Sequence, residues 1–310
     1  MRLCTVKTST GNPVFGLELN RKILRIAESA RSFGFSEKDV AMVKTSLDYF
    51  ANLPASEKVL RKLLNAISEN AKVLSKPGAD GEPNLLDASS VTWLPPIQRP
   101  GKILCIGLNY RAHCTEQNKD IPKKPVVFNK FSTSLIGHGA EIPLPLKVDD
   151  HVDYEAELAV VIGKTAKNVT KRAAMKHVGG YMIMNDVSLR AIQKAEPQWS
   201  RAKGWDGSGP CGPSIVTPDE IPDPHALEIS CRLNGTVMQK SNTSDFIFPI
   251  PELISFISQL VTLEPGDIIS TGTPGGVGAH RTPPIFMKPG DVVEVKIDRI
   301  GTLRNVCGVR

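Results

Sequence analysis

The chain has 310 residues, 41% hydrophobic and 23% charged, with no apolar run near the length needed to cross a membrane, so it reads as a soluble protein with one large domain and a smaller appendage. Its formal charge of +6 comes from 38 basic and 32 acidic residues scattered along the chain. That is a poor signal for nucleic acid, and a mild attraction for anionic substrates explains it as well. Six cysteines without a C-x-x-C pair argue against a zinc ribbon or redox motif and for a reducing compartment, and MRLCTVKTS has no apolar signal core.

In chain order, Met1 to Asn20 reads as two short strands around a turn at Ser9 to Pro13. Helical spacing predicts helices over Arg21 to Phe33, through Ile23, Ile26, Ala27 and Ala30, then over Lys38 to Phe50 and Glu57 to Val73. The turn-rich KPGADGEPN and the proline-rich LPPIQRP follow, and the second sets a boundary between a small N-terminal α+β domain, 1–95, and a larger domain, 96–310. Beyond Gly101, strands are predicted at Lys102 to Ile106, Val126 to Phe128, Leu158 to Ile162, Gly180 to Met184, Leu227 to Leu233, Asp267 to Ser270 and Val292 to Ile297. Only Lys171 to Val178 and Pro251 to Leu260 read as helices there. This is a mixed α/β but β-rich pattern, that of a sandwich, roll or barrel and not of a doubly wound sheet.

The chemistry concentrates in DYEAELAVVI, Asp153 to Ile162. Residues two apart on a strand share a face, so Glu155 and Glu157 look the same way, into a strand apolar enough to be covered on both sides. Carboxylates there are costly unless paired or metal-bound. Asp186 follows the GYMIMN strand and completes an all-oxygen set suited to Mg²⁺, Mn²⁺ or Ca²⁺. Removing any one of the three should lose a ligand and relieve repulsion. His113 and Glu116, three apart after the KILCI strand, suit a carboxylate-oriented general base. Lys203 lies among glycines where an ammonium could meet an anion. STGTPGGVG, Ser270 to Gly278, lacks the Gly-Lys-Ser/Thr of a phosphate loop but suits a tight turn that brings backbone amides to an anionic ligand. Taken singly, each has a plainer explanation: a solvated strand end, a turn cap, a surface His–Glu pair, a solvated lysine.

Together and in order, GLNYRAHCTEQN, DYEAELAVVIGK, NDVSLRAIQ, KGWDGSGPCGP, CRLNGTVMQKSNTSDFIF, LEPGDIISTGTPGGVG and GDVVEVKIDRIGTLRN resemble the fumarylacetoacetate hydrolase (FAH) superfamily, and within it the FAH-domain-containing protein 2 group. The likeness runs from about Pro100 to Val309. It implies an FAH-type β-sandwich roll that forms a homodimer. It also implies Mg²⁺ or Mn²⁺ on Glu155, Glu157 and Asp186, a His113–Glu116 base dyad, and substrate contacts from Lys203, Gln193 and Thr273. The implied substrate is a small anionic 2-oxo acid or 1,3-dicarbonyl. The first expectation is hydrolysis of an acylpyruvate-type carbon–carbon bond, with oxaloacetate keto–enol tautomerisation or decarboxylation as the alternative at the same site. The expected compartment is the cytoplasm, or the mitochondrial matrix in a eukaryote. Leu189 and Ala191 depart from the usual NDVSARD, and Trp205, Gly207 and Ser208 from KGFDTF, which puts the substrate rather than the chemistry in question.

Overall fold

In the computed structural model, which describes Met1 to Arg310, the first strands are Arg2–Lys7 and Pro13–Leu19, paired from Leu3↔Leu17 to Lys7↔Pro13. The helix expected from Arg21 begins later. Asn20 takes a left-handed φ of 56° and reverses the chain into a third strand, Lys22–Arg25, so that helix starts only at Ile26 and runs to Ser32. Ile23 and Leu24 are both fully buried, in separate clusters on opposite faces, a two-sided burial that the helical spacing concealed. Lys38 to Phe50 is likewise divided, into Glu37–Met42 and Ser46–Ala51. Ser36 caps the first helix by accepting from the Asp39 N–H at 3.2 Å, and Thr45 caps the second through Asp48 at 3.1 Å. The longest helix, Ala55–Glu69, buries Val59, Leu60 and Leu63.

A large mixed sheet carries these elements. Its order is 85–87, 22–25, 13–19, 2–7, 209–216, 178–185, 156–162, 268–270, 103–107 and 126–130. The sheet runs through the expected boundary, since Cys4 pairs with Ser214 and Thr92–Leu94 also joins the Arg2–Lys7 strand. None of residues 1–95 lines the main cleft, so we propose the division at 95/96 as one of role and not of separate sheets. A second sheet, of order 236–242, 228–233, 292–297, 301–309 and 141–144, packs on the other face. Between them the strand Ala156–Ile162 is buried throughout. Leu158, Val160 and Ile162 enter one core with the second sheet, while Ala159 and Val161 enter the other with the N-terminal helices.

Gly209–Val216 is an inner strand of the large sheet, although its Gly and Pro content reads as loop. Its pairing with Val178–Asn185 shifts register between Tyr181 and Ile183, and Pro213 lies within that irregular stretch, where a missing N–H is tolerated. The neighbouring strands Ala156–Ile162 and Val178–Asn185 pair Ala156 with Asn185. Glu155 and Asp186 therefore leave the sheet side by side, and the Asp186 N–H donates to the Glu155 carbonyl at 2.9 Å.

Candidate active site

Glu155, Glu157 and Asp186 are buried, and each offers a carboxylate oxygen within 4.8 Å of the others. Such a cluster needs cations. Lys203 Nζ donates to Glu155 at 2.7 Å and to Asp186 at 2.9 Å, and Lys130 Nζ donates to the other Asp186 oxygen at 2.8 Å. Arg190 spans Asp153 and Glu155, 2.8 Å from each. Burial pushes Glu155 up, but the Lys203 and Arg190 charges outweigh it and hold the carboxyl below its ordinary range. Burial alone would lower Lys203, yet Asp186 and Glu155 keep it above the usual lysine value. Glu157 differs. It accepts hydrogen bonds from Ser270 Oγ and, at 3.0 Å, from the Gly272 N–H, but makes no ion pair. Burial, with Asp186 and Glu155 adding to it, raises its carboxyl well above normal. Three converging acids with one lacking a counter-charge are an all-oxygen donor set that fits a hard divalent cation.

His113 and Glu116 stand on the short helix Arg111–Glu116. Glu116 accepts from His113 Nδ1 at 3.1 Å and, through its other oxygen, from the Gly276 N–H at 2.8 Å. Burial alone would raise Glu116, but these two donors bring it below its ordinary value, so it is a carboxylate at neutral pH. With Nδ1 donating, the neutral imidazole carries its lone pair on Nε2, where the Gln117 amide lies 2.6 Å away.

The glycine-rich segment corrects an expectation. Its amides do meet anions, but these are the protein's own carboxylates: Gly272 serves Glu157, Gly276 serves Glu116, and Gly278 and Ala279 serve Asp153. Gly272 sits at φ 98°, and a Cβ there would lie 2.8 Å from Asn109 and 2.9 Å from the Ile106 carbonyl, so this approach requires glycine. Gln239 donates to Thr273 Oγ1 at 2.8 Å and accepts from the Ala156 N–H at 2.9 Å. Thr273 Oγ1 thus accepts from Gln239 and donates to no protein group, which leaves its hydroxyl hydrogen for a ligand. Gln193 accepts from Arg190 at 2.9 Å, which leaves its amide hydrogens for a ligand.

A cleft of about 570 Å³ joins these groups. Glu155, Glu157, His113, Lys203, Gln193 and Thr273 all line it. Asp186 is wholly buried beside Glu155, and Glu116 is set against His113. Sequence reasoning missed Lys130, Arg190, Asp153, Gln117, Gln239 and Asn109. The last of these donates to the Thr271 carbonyl at 2.7 Å and so fixes the turn before Thr273. The signal for Lys130 was a lone lysine closing the apolar strand VVFNK. The departures from the usual motifs do not reach the cleft: Leu189 is packed in the core, Ala191 is exposed, and Ser208 holds the Lys130 ammonium at 3.0 Å. A further acidic group, Asp149, Asp150 and His151, has structural work, since Asp149 accepts from the His151 and Ile192 N–H groups at 2.8 and 3.0 Å.

A β-rich mixed fold with a carboxylate cluster and a His–Glu dyad facing one cleft defines an enzyme of the FAH fold class. Residues 102–307 match the fumarylacetoacetate (FAA) hydrolase C-terminal family. The chain belongs to this family and, within it, to the FAH-domain-containing protein 2 group. It is 46% identical over 241 residues, 77% of this chain and 75% of the other, to a Xenopus laevis protein named oxaloacetate tautomerase fahd2, mitochondrial. Among solved structures it is similar to a 5-carboxymethyl-2-hydroxymuconate delta-isomerase from Mycobacterium smegmatis, with TM-score 0.74 and 32% identity, covering 100% of both chains. It is also similar to a maleylpyruvate hydrolase from Sphingobium sp. SYK-6 in complex with manganese (II) ion and pyruvate, with TM-score 0.76 and 25% identity, covering 100% of this chain and 99% of the other.

Proposed function

We propose that this enzyme is a metal-dependent keto–enol tautomerase acting on oxaloacetate. The observation that carries the reading is an imidazole, His113, bonded through Nδ1 to the Glu116 carboxylate and lining the same cleft as the acid cluster, in a chain whose 46%-identical relative bears that name. This reverses the expected order, in which carbon–carbon bond hydrolysis came first.

Glu155, Glu157 and Asp186 would hold Mg²⁺ or Mn²⁺, which when bound supplies Lewis-acid stabilisation of enolate charge. The chain's own groups do the rest. Glu116 keeps His113 in the Nδ1–H tautomer, so Nε2 can take a proton from the substrate's C3 and return it to the enol oxygen, directly or through water. The Gln117 amide, 2.6 Å from Nε2, has to yield that lone pair as substrate enters. Thr273 and Gln193 offer free hydrogen-bond donors to the carboxylate and carbonyl oxygens of a 2-oxo acid. Proton transfer alone leaves the carbon skeleton intact.

Hydrolysis is the second reading, favoured by the likeness to the maleylpyruvate hydrolase. There the same Nε2 would activate water. The relatives' mitochondrial names support a mitochondrial compartment over a cytoplasmic one, and no helix here is long and apolar enough to cross a membrane.

The test is to follow the decay of enol-oxaloacetate absorbance with Mg²⁺, with Mn²⁺ and with a chelator. Acceleration that needs metal, with oxaloacetate recovered intact, supports the reading. Decay no faster than in buffer would refute it.

A further inference from the structure

Every cation deep in the cleft is already matched. Lys203 is committed to Glu155 and Asp186, and Arg190 to Asp153 and Glu155. Two lysines that line the same cleft are not. The side chains of Lys119 and Lys194 are exposed and make neither an ion pair nor a hydrogen bond, and the only carboxylates lining the cleft are Glu155 and Glu157 on its floor. Two unpaired ammonium groups therefore stand on the exposed lining of the cleft, with no carboxylate of that lining bonded to either.

The two lysines belong to different parts of the site. Lys119 follows the dyad helix and is fixed to it: Asn118 turns left-handed at φ 51°, and the Lys119 N–H donates to the Cys114 carbonyl at 3.0 Å. Lys194 is on the helix Arg190–Ala195, which also carries Arg190 and Gln193 and is anchored by the bond from the Ile192 N–H to Asp149. An anion held by both ammonium groups would join the base-bearing segment to the substrate-binding helix.

We infer that Lys119 and Lys194 together recognise the second carboxylate of a dicarboxylic 2-oxo acid, and that this contact ties the base-bearing segment to the helix that carries Gln193. The inference rests on the tautomerase reading for its substrate and selects dicarboxylates over monocarboxylates such as pyruvate. Binding energy from the remote carboxylate is then used to place the base, so its loss lowers turnover as well as affinity.

The experiment uses the full-length protein with Mg²⁺ and two probes that do not turn over: 3,3-difluorooxaloacetate, which has the second carboxylate and no C3 hydrogen, and pyruvate, which lacks that carboxylate. Calorimetry on wild type should give tighter binding of the difluoro diacid than of pyruvate. In the Lys119→Ala/Lys194→Ala double variant, the Kd for the diacid should rise about three- to thirty-fold, the range for two partly screened ion pairs, while that for pyruvate moves less than about twofold. The wild-type preference should shrink with added salt, and Lys119→Glu/Lys194→Glu should erase it. With oxaloacetate, the alanine pair should lower kcat as well as raise KM. Equal weakening of both probes, no weakening of either, or a wild type without preference would overturn the inference. Failure of wild type to accelerate enol-oxaloacetate decay would instead sink the tautomerase reading, and the binding comparison would still be read.

Discussion

At the floor of the cleft, Glu155, Glu157 and Asp186 stand at strand ends with 5%, 1% and 0% exposure, and two of the three are tied to buried cations. Across from them, His113 and Glu116 ride on a six-residue helix whose Glu116 side chain is 20% exposed. That helix is held from outside by the Asp245 carboxylate, which accepts from the Ala112 N–H at 3.0 Å, and by the Gly276 amide on Glu116. The floor is therefore part of the fold's electrostatic balance, whereas the dyad segment, though His113 and Cys114 are buried, makes no ion pair to the buried cations that hold the floor. Substitutions on the floor should be read first as stability and metal binding, and those on the dyad as turnover.

The largest effects should separate the three acids from one another. Asp186→Ala strips Lys130 and Lys203 of a shared partner, and Lys130→Met leaves Asp186 with one cation fewer, so each should cost about 3–5 kcal/mol in chemical denaturation, as breaking a buried pair does. Glu157→Gln breaks no ion pair and keeps an acceptor for Ser270 and Gly272. It should fold with at least wild-type stability and yet lose Mg²⁺ binding by calorimetry. The structure thus narrows the expectation that removing any one acid loses a ligand and relieves repulsion without cost to the fold: Glu155 and Asp186 also hold buried cations, and only Glu157 does not. Equal destabilisation by Asp186→Ala and Glu157→Gln would remove the distinction.

On the dyad, His113→Ala should lower tautomerase turnover by roughly two to four orders of magnitude with Mg²⁺ affinity and stability nearly unchanged. Glu116→Gln should cost about tenfold, because the imidazole remains while its tautomer is held less firmly. A His113→Ala variant that lost stability as Asp186→Ala does would place the dyad with the floor.

The smallest effect is on pH. The Glu116 carboxyl is depressed in the folded protein from an ordinary 4.5, so its contribution to stability is fully present above that value and is lost as pH falls through the lower folded value. Glu116→Gln should flatten this part of the acid limb of a denaturation series. An unchanged acid limb would mean that the bonds from His113 and Gly276 do not favour the carboxylate.

The same contrast bears on what could be read in the sequence. Strands with period-two or continuous apolar runs, such as Leu158 to Ile162 and Val292 to Ile297, were legible because burial alone dictates them. Lys22–Arg25 was not, since its four residues sit before a true helix and share its spacing. Gly209–Val216 was hidden by proline at an irregular pairing. Acids and a histidine announce themselves by type, so Glu155, Glu157, Asp186 and His113 could be named as candidates. Their supports could not. Lys130 meets Asp186 from 56 residues away and Gln239 meets Ala156 from 83, pairings that only the folded sheet defines. The glycine-rich segment reads as directing amides at an anionic ligand, and nothing local says that the anions they meet are instead Glu157, Glu116 and Asp153.

The central claim is that the His113 base moves a proton and breaks no carbon–carbon bond. Its most direct test incubates oxaloacetate with the Mg²⁺-loaded enzyme in water carrying both ²H and ¹⁸O, and follows the product by NMR and mass spectrometry against the His113→Ala variant. Enzyme-accelerated deuterium entry at C3 that collapses in the variant is expected, with the four-carbon skeleton retained and no ¹⁸O in a newly formed carboxylate. Enzyme-dependent release of pyruvate and carbon dioxide, or cleavage products bearing ¹⁸O in a fresh carboxylate, would contradict it.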